Sequence, residues 1–357
     1  MLLDLVKIFI PAVLSFAIGI GITPILTHYL YANRMWKKRG GKVGLDGKDT
    51  LIFNRLHESR ETQTPRLGGI VIWLSAAVAV LGVSGFAAIF DTALLEKLDF
   101  LNRNQTLIPL IVLLLGASIG LVDDLFEIRG SSRGGRRDGL SLRNRLLLVT
   151  IIGLAAGFWF YVKLDVSTIS IPFSGPFSVG VFLIPLFAIV TLAIYSGGII
   201  DGIDGLAGGI FAIIFGAYGA LAFFQNQINI AAFCAAILGG ILAFLWFNIP
   251  PARFYMSETG SMALTLTLTI IAFMTDTLGE GEGLFVLPVI ALPLFLTSLS
   301  VIVQTFSKRF WSRRVFKIAP LHHHFEAIGW PPYKVTMRYW ILGVVFAIIG
   351  VTIALVS

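Results

Sequence analysis

LVKIFIPAVLSFAIGIGITPILTHYL, residues 5–30, is an apolar run interrupted only by Lys7. A helix of roughly 20 residues crosses about 30 Å of hydrocarbon, so this run is long enough to span a bilayer. It exceeds the roughly 7–15 residues of a signal-peptide core, and no small-residue cleavage site follows it. It reads as a first transmembrane helix. Nine more runs of that kind follow, at 67–90, 106–124, 144–162, 181–199, 206–224, 229–247, 260–275, 284–305 and 337–356. The fold class expected is therefore an all-α integral membrane protein of about ten transmembrane helices. The longest polar stretch, Tyr31 to Arg66, is only a loop, so residues 1–357 form one polytopic domain.

Composition agrees. Of the 357 residues, 56% are hydrophobic and 13% charged, and the mean hydropathy is +0.87. A soluble domain carries roughly 45–50% apolar and about 25% charged residues, so the bilayer must be the main solvent. The single cysteine, Cys234, rules out an internal disulfide. The formal charge of +7 raises the question of nucleic acid, but the distribution of the charge points to the membrane instead.

Ten spans leave two sets of loops. Loops 31–66, 125–145, 248–259 and 306–338 hold 23 of the 27 Lys and Arg. By the positive-inside rule this set is cytoplasmic and both termini face out. Every chemically suggestive motif then falls at the cytoplasmic boundary. Asp123-Asp124 ends the third span in GLVDDLFEIRG. Asp201 and Asp204 sit in SGGIIDGIDGLAGG, Glu258 in NIPPARFYMSETGS, and His322-His323-His324 in APLHHHFEAIGW. A carboxylate at the centre of a membrane helix costs roughly 2.5–3.5 kcal/mol on insertion scales. Five acids kept at helix ends on one face point to a site rather than to five unrelated helix caps or ion pairs.

Asp201 and Asp204, three apart, share a face if their segment is helical. The glycines around them allow close approach of a ligand or of another helix. Adjacent Asp123 and Asp124 cannot point the same way on a helix, so one can hold a cation while the other meets a reactant. Clustered carboxylates without cysteine suit a hard cation such as Mg²⁺. Three consecutive histidines raise zinc as an alternative, although neighbours on a helix diverge by about 100°. Positioning or protonating a phosphate suits them better. Pro288 and Pro293 interrupt the ninth span, where a kink would open a groove for a long prenyl tail.

KIAPLHHHFEAIGWPPYKVTMRYW (317–340) closely resembles the signature of the MraY-type phospho-N-acetylmuramoyl-pentapeptide transferases, within the polyprenyl-phosphate N-acetylhexosamine-1-phosphate transferase superfamily. DGIDGLAGG, VDD, TPRLGG (64–69) and GLSLRNRLLL (139–148) appear in that family's order, and the resemblance covers nearly the whole chain. It implies a transferase of the bacterial inner membrane acting in peptidoglycan synthesis, hence cell wall biogenesis and cell shape. The implied substrates are UDP-MurNAc-pentapeptide and undecaprenyl phosphate, the products lipid I and UMP, and the cofactor Mg²⁺. The lipid bilayer is the one other partner implied, nucleic acid is not, and a homodimer is left open. By the same resemblance Asp123, Asp124, Asp204 and His323 are the catalytic residues. Thr64, Asp201, Gly202, Tyr255, His322 and His324 bind substrate, Tyr255 by stacking on uracil, and Glu258 with Asp123 holds the metal.

Four positions depart from the family's pattern. Glu258 stands for the aspartate of MGD, and Tyr195-Ser196-Gly197-Gly198 stands where asparagines are usual. Glu127 replaces the lysine three residues after the acid pair. The lysine before TPxxGG has no clear counterpart, with Arg60 the nearest substitute. Arg133, Arg136 and Arg137 are either an attraction for anionic substrate or ordinary positive-inside bias. The rival readings are a polyprenyl-phosphate GlcNAc-1-phosphate transferase, a cation transporter and a catalytically inactive relative. Acids gathered at one boundary argue against the transporter.

Overall fold

The computed structural model describes residues 2–38, 62–90, 92–101, 105–130, 139–279 and 281–357; Arg60, Arg133, Arg136 and Arg137 lie outside them. The chain is almost wholly helical. Its long helices are α1 (Leu2–Ala32), α2 (Ile70–Phe90), α4 (Leu107–Arg129), α5 (Leu142–Lys163), α6 (Leu183–Gly197), α7 (Leu206–Phe224), α8 (Ile228–Asn248), α9 (Ser257–Met274) and α13 (Pro332–Val356). Between them lie the short helices α3 (Ala93–Leu98) and α12 (Leu321–Ala327). Nine spans among the described residues are long and apolar enough to cross a membrane.

The ninth expected span, 284–305, is the exception. It is divided at Ala291 into α10 (Leu287–Ile290) and α11 (Leu292–Trp311), each with a proline in its first turn. Pro293 has no N–H to give to the turn before it, and its ring crowds the carbonyl four residues back. The helix therefore restarts rather than bends. The restarted α11 is turned inside out. Thr297, Ser298, Ser300, Gln304 and Ser307 are buried, while Leu296, Leu299, Ile302, Phe306 and Phe310 are exposed. An apolar stripe facing outward beside a hydroxyl-rich inner face is what lipid, not water, would select.

At the centre stands α9, in which every residue except Glu258 is buried. It packs against α4, α6 and α2, while α8 joins α1, α2 and α7 behind it. Phe273 of α9 stacks on Phe187 of α6 with ring centroids 3.9 Å apart. The contact of α4 with α9 depends on glycine. A Cβ on Gly116 would lie 2.9 Å from the Met262 carbonyl oxygen, and one on Gly120 would run into the Glu258 backbone. This contact brings the end of α4, with Asp123 and Asp124, onto the first turn of α9.

The two ends of the bundle differ. At the end away from the acid pair, a hairpin pairs β1 (Thr168–Ile171) with β2 (Gly175–Ser178). The sequence reading, with spans at 144–162 and 181–199, assigns no element to the residues between them. A lone two-stranded hairpin is marginal, and this one is tied down by Asp276, whose Oδ1 accepts from Ser170 N–H at 2.9 Å. Gln225 and Gln227 donate to the Thr275 and Met274 carbonyls at the same end.

The glycine contact can be tested directly. Gly120→Val should destabilise the protein by about 1–3 kcal/mol through overpacking. Gly82→Val, where a Cβ would meet no atom within 4 Å, should leave thermal unfolding in detergent unchanged.

Candidate active site

The first turn of α9 collects the expected acids. A helix begins with N–H groups that have no partner inside the helix. Here the first three all end on carboxylates from other segments. Ser257 N–H donates to Asp201 Oδ2 at 2.8 Å, Glu258 N–H to Asp124 Oδ1 at 3.2 Å, and Thr259 N–H to Asp124 Oδ2 at 2.8 Å. Asp124 is fully buried, so its two oxygens act as a cap delivered from α4.

Its neighbour Asp123 turns elsewhere, as adjacent residues on a helix must. Oδ1 accepts from the Leu140 N–H, and Oδ2 lies 3.5 Å from Arg145 Nη1. The same Nη1 lies 2.8 Å from Glu258 Oε1. Asp123 and Glu258 thus converge on one cation. Arg145 Nε is a buried donor with no acceptor among the described residues. Among the described residues, backbone N–H groups reach three of the acid pair's four oxygens and leave Asp123 Oδ2 to Arg145.

Asp201 and Asp204 do not share a helical face. A 3₁₀ turn ends at Ile200, residues 201–205 form turns, and α7 begins at Leu206 after Gly205 in the left-handed region (φ +76°). Asp201 instead ties this loop to the first turn of α9, and Asp204 ties it to the segment before that helix. Asp204 Oδ2 accepts from Ala252 N–H at 3.1 Å. The Asn248 side chain helps, accepting from Gly205 N–H and donating to the Phe254 carbonyl. Thr336 and Trp340 of α13 donate to the Asp204 and Gly205 carbonyls, closing the loop from the other side.

Gly202 is where the histidines arrive. A Cβ there would lie 2.6 Å from His322 Nε2 and 2.7 Å from His323 Nε2. Both rings are buried, with centroids 4.3 Å apart. His323 Nδ1 lies 2.6 Å from Glu326 Oε2, a contact that fixes the ring's orientation. His324 turns away. Its Nδ1 accepts from the Lys317 N–H at 3.1 Å and its ring packs edge-on to Phe316. Burial, and then the Lys317 ammonium, pull its imidazole below the ordinary histidine range, in keeping with an acceptor Nδ1.

The segment TPRLGG runs beside Tyr255. Tyr255 N–H donates to the Pro65 carbonyl, and Gly68 and Gly69 N–H donate to the carbonyls of Tyr255 and Met256. Thr64 and Tyr255 are half-buried next to this ladder. The structure thus brings together Asp123, Asp124, Asp201, Gly202, Asp204, Tyr255, Glu258, His322 and His323. It sets Thr64 at the margin and faces His324 outward.

The sequence reading left several partners unassigned. Arg145 lies in GLSLRNRLLL but received no role there. Glu127 pairs with Lys37 and with Arg66, each at 2.7 Å. Glu326 sits within HHHFE. The useful signal was the place of Arg145, Arg66 and Glu326 inside the quoted motifs; the pairs Arg145–Glu258, Glu127–Lys37 and Glu127–Arg66 join residues more than 60 apart in the chain and leave no local pattern. Among the described residues no group of three His, Cys, Asp or Glu is arranged to hold a metal ion.

The chain is similar to known proteins. Residues 106–276 match the family model described as glycosyl transferase family 4. A phospho-N-acetylmuramoyl-pentapeptide-transferase of Geobacillus sp. is 33% identical over 353 residues, covering 96% of both chains. Proteins of the same name from Shouchella clausii (32% over 346 residues; 96% and 95% covered) and Chloroflexus aggregans (30% over 333 residues; 89% and 83%) are also similar. With likeness running from end to end and the motif acids meeting in one place, the chain belongs to the phospho-N-acetylmuramoyl-pentapeptide-transferase family.

Proposed function

We propose that the chain transfers phospho-MurNAc-pentapeptide from its UDP-linked form to undecaprenyl phosphate, giving lipid I and UMP in peptidoglycan synthesis. The observation that carries this reading is the meeting of Asp123, Glu258 and Arg145 at one point, on the turn of α9 that Asp201 holds, with His322 and His323 against the neighbouring Gly202. The buried Arg145 Nε–H has no acceptor among the described residues, and a substrate phosphate would supply one.

An oxygen of the acceptor phosphate attacks the β-phosphorus, the bond from that phosphorus to the UMP oxygen breaks, and UMP leaves with the electron pair. Asp123 orients the acceptor phosphate or takes its proton through Oδ2. Asp124, committed to the α9 cap, holds the first turn of that helix in register. Asp201, Gly202, Asp204 and Tyr255 line the donor's side of the site. His323, oriented by Glu326, presents Nε2 to the same side, and His322 packs beside it. Arg145 keeps Asp123 and Glu258 on one point.

Mg²⁺ is the metal we assign, with Asp123 and Glu258 as its ligands. Two oxygen donors fit it, because Mg²⁺ is usually held by one or two carboxylates together with substrate phosphates. When bound it would neutralise charge on the diphosphate as a Lewis acid. We assign the site to the cytoplasmic face of a bacterial inner membrane, with both termini outside. The support is the basic loops on the site's side of the bundle.

Purified protein in detergent, given UDP-MurNAc-pentapeptide and undecaprenyl phosphate, should release UMP in a Mg²⁺-dependent manner and form a lipid-linked product. Glu258→Gln should abolish the metal dependence along with most turnover. Turnover with UDP-GlcNAc instead would move the chain to the GlcNAc-1-phosphate transferases, and silence with both donors would make it an inactive relative.

The acid pair and the histidines should separate by readout. Asp123→Asn should lower kcat on the order of a hundredfold or more with little change in melting temperature. Asp124→Ala should cost about 1–3 kcal/mol of stability by stranding the α9 N–H groups. His323→Ala should lower kcat on the order of a hundredfold, and His324→Ala far less. Equal losses at the two histidines would overturn the roles given to them.

A further inference from the structure

The segment that carries the histidines is strongly basic on its outer surface. Residues 306–338 contain one acid, Glu326, and its carboxylate is held by His323. Arg309, Arg313, Arg314, Lys317, Lys334 and Arg338 of the same segment are all exposed. Among the described residues no carboxylate lies within ion-pair distance of Arg309, Arg313, Arg314, Lys334 or Arg338. The positive charge here is not offset from within.

Positive-inside bias would explain cations in a loop, but not what these cations accompany. Phe306, Phe310 and Trp311 are exposed at the end of α11. They touch one another, the Phe306 ring centroid lying 4.3 Å from that of Phe310 and 5.6 Å from that of Trp311. Spaced three or four apart, Leu299, Ile302, Phe306 and Phe310 form one exposed apolar stripe. The 20 residues of α11 extend about 30 Å, close to the thickness of a hydrocarbon core. Ser312, in the left-handed region (φ +53°), ends the helix, and Arg313 and Arg314 follow at once. The apolar stripe stops where the cations begin. Aromatic rings beside basic groups at such a boundary suit the headgroup level of a bilayer.

A second basic group lies at the start of α13, and both groups touch α12. The Arg338 guanidinium lies over the Trp330 ring, 4.1 Å from its centroid, with Lys334 Nζ at 5.7 Å. Trp330 in turn stacks on Phe325 of α12 with centroids 4.7 Å apart. From the α11 side, Lys317 N–H donates to His324 Nδ1, and Lys317 Nζ donates to the Ala327 carbonyl at 3.5 Å. We propose that Arg309, Arg313 and Arg314, with Phe310 and Trp311, bind anionic phospholipid headgroups of the leaflet at the site's end of the bundle. Lys334 and Arg338 make a second contact, and the bound lipid steadies α12 with its histidines. A soluble anion would leave the exposed rings unused, whereas a charged bilayer surface takes both rings and cations. Only the turnover arm of the test rests on the transferase reading.

The test uses the full-length protein in detergent, with phosphatidylglycerol and phosphatidylcholine as probes and bound lipid counted by native mass spectrometry. Wild type should hold phosphatidylglycerol at least tenfold more tightly than phosphatidylcholine. Arg309→Gln, Arg313→Gln and Arg314→Gln combined should remove most of that preference, and the three lysine replacements should keep it. Lys334→Gln with Arg338→Gln should remove a smaller share. Equal retention of the two lipids by wild type, or an unchanged preference in the triple glutamine variant, would overturn the assignment. Displacement of the lipid by glycerol phosphate at matched concentration would make a soluble anion the ligand and overturn it as well. In nanodiscs, which are open on both faces, phosphatidylglycerol should raise wild-type UMP release at least threefold. The triple glutamine variant should stay at the rate both proteins show in phosphatidylcholine alone. A wild-type rate indifferent to lipid would overturn the link to α12. The two readings fail separately. Lipid preference without UMP release in any disc sinks the transferase reading alone, and active protein without lipid preference sinks only this one.

Discussion

The first turn of α9 is the constraint on which the rest depends. A helix that starts inside a membrane protein exposes N–H groups that neither water nor lipid can satisfy there. In this chain Asp124 and Asp201 satisfy the first three. Two elements more than 70 residues apart are thereby forced to the same point. Everything else assembles around them: Glu258 rides on that turn, Arg145 follows Glu258, and Gly202, one residue past Asp201, brings in the histidine pair. The helix dipole favours such carboxylates at an N-terminus, so the cap is electrostatically sound as well as geometrically necessary.

That solution has a consequence for charge. Asp123, Asp124, Glu127, Asp201 and Glu258 face Lys37, Arg66 and Arg145, so the described groups leave the site formally negative. A donor and an acceptor that both carry phosphates would be repelled from it in a half-buried setting where Coulomb energies are larger than in water. A divalent cation shared by Asp123 and Glu258 would restore the balance, and the guanidinium of Arg145 shows where those two carboxylates already hold positive charge. Glu258 in place of the family's aspartate reads naturally in this light. Its longer side chain spans the gap to Arg145 while its backbone N–H remains on Asp124.

Much of the fold was legible in the sequence because the bilayer reduces the problem to runs of about 20 apolar residues. The 206–224 run coincides with α7, and the acid-bearing ends meet as the alternation of basic loops implies. The ninth span failed as one helix because hydropathy does not register a missing N–H; Pro288 and Pro293 carried that information and break the helix instead of bending it. The hairpin at 168–178 was invisible because its stability comes from Asp276, a hundred residues away. At the site, residue types and their face were readable, but partnerships were not. Nothing near Asp201 and Asp204 says that they bond to backbone N–H groups at 257 and 252 rather than share a helical face. Glu127 looked like a defect until Lys37 and Arg66 appeared beside it.

The broken ninth span links the membrane to the chemistry. Once α11 restarts at Leu292, its polar face is free to serve the loop that follows. Gln304 accepts from the Val315 and Phe316 N–H groups and donates to the Phe316 carbonyl, and Ser300 accepts from Leu321 N–H at the entry to α12. These bonds seat the short helix that carries His322 and His323. The opposite face of α11 is apolar and outward, suited to lipid. The inner face of α11 thus gives the histidine segment its seat, while the outer face offers lipid an apolar surface.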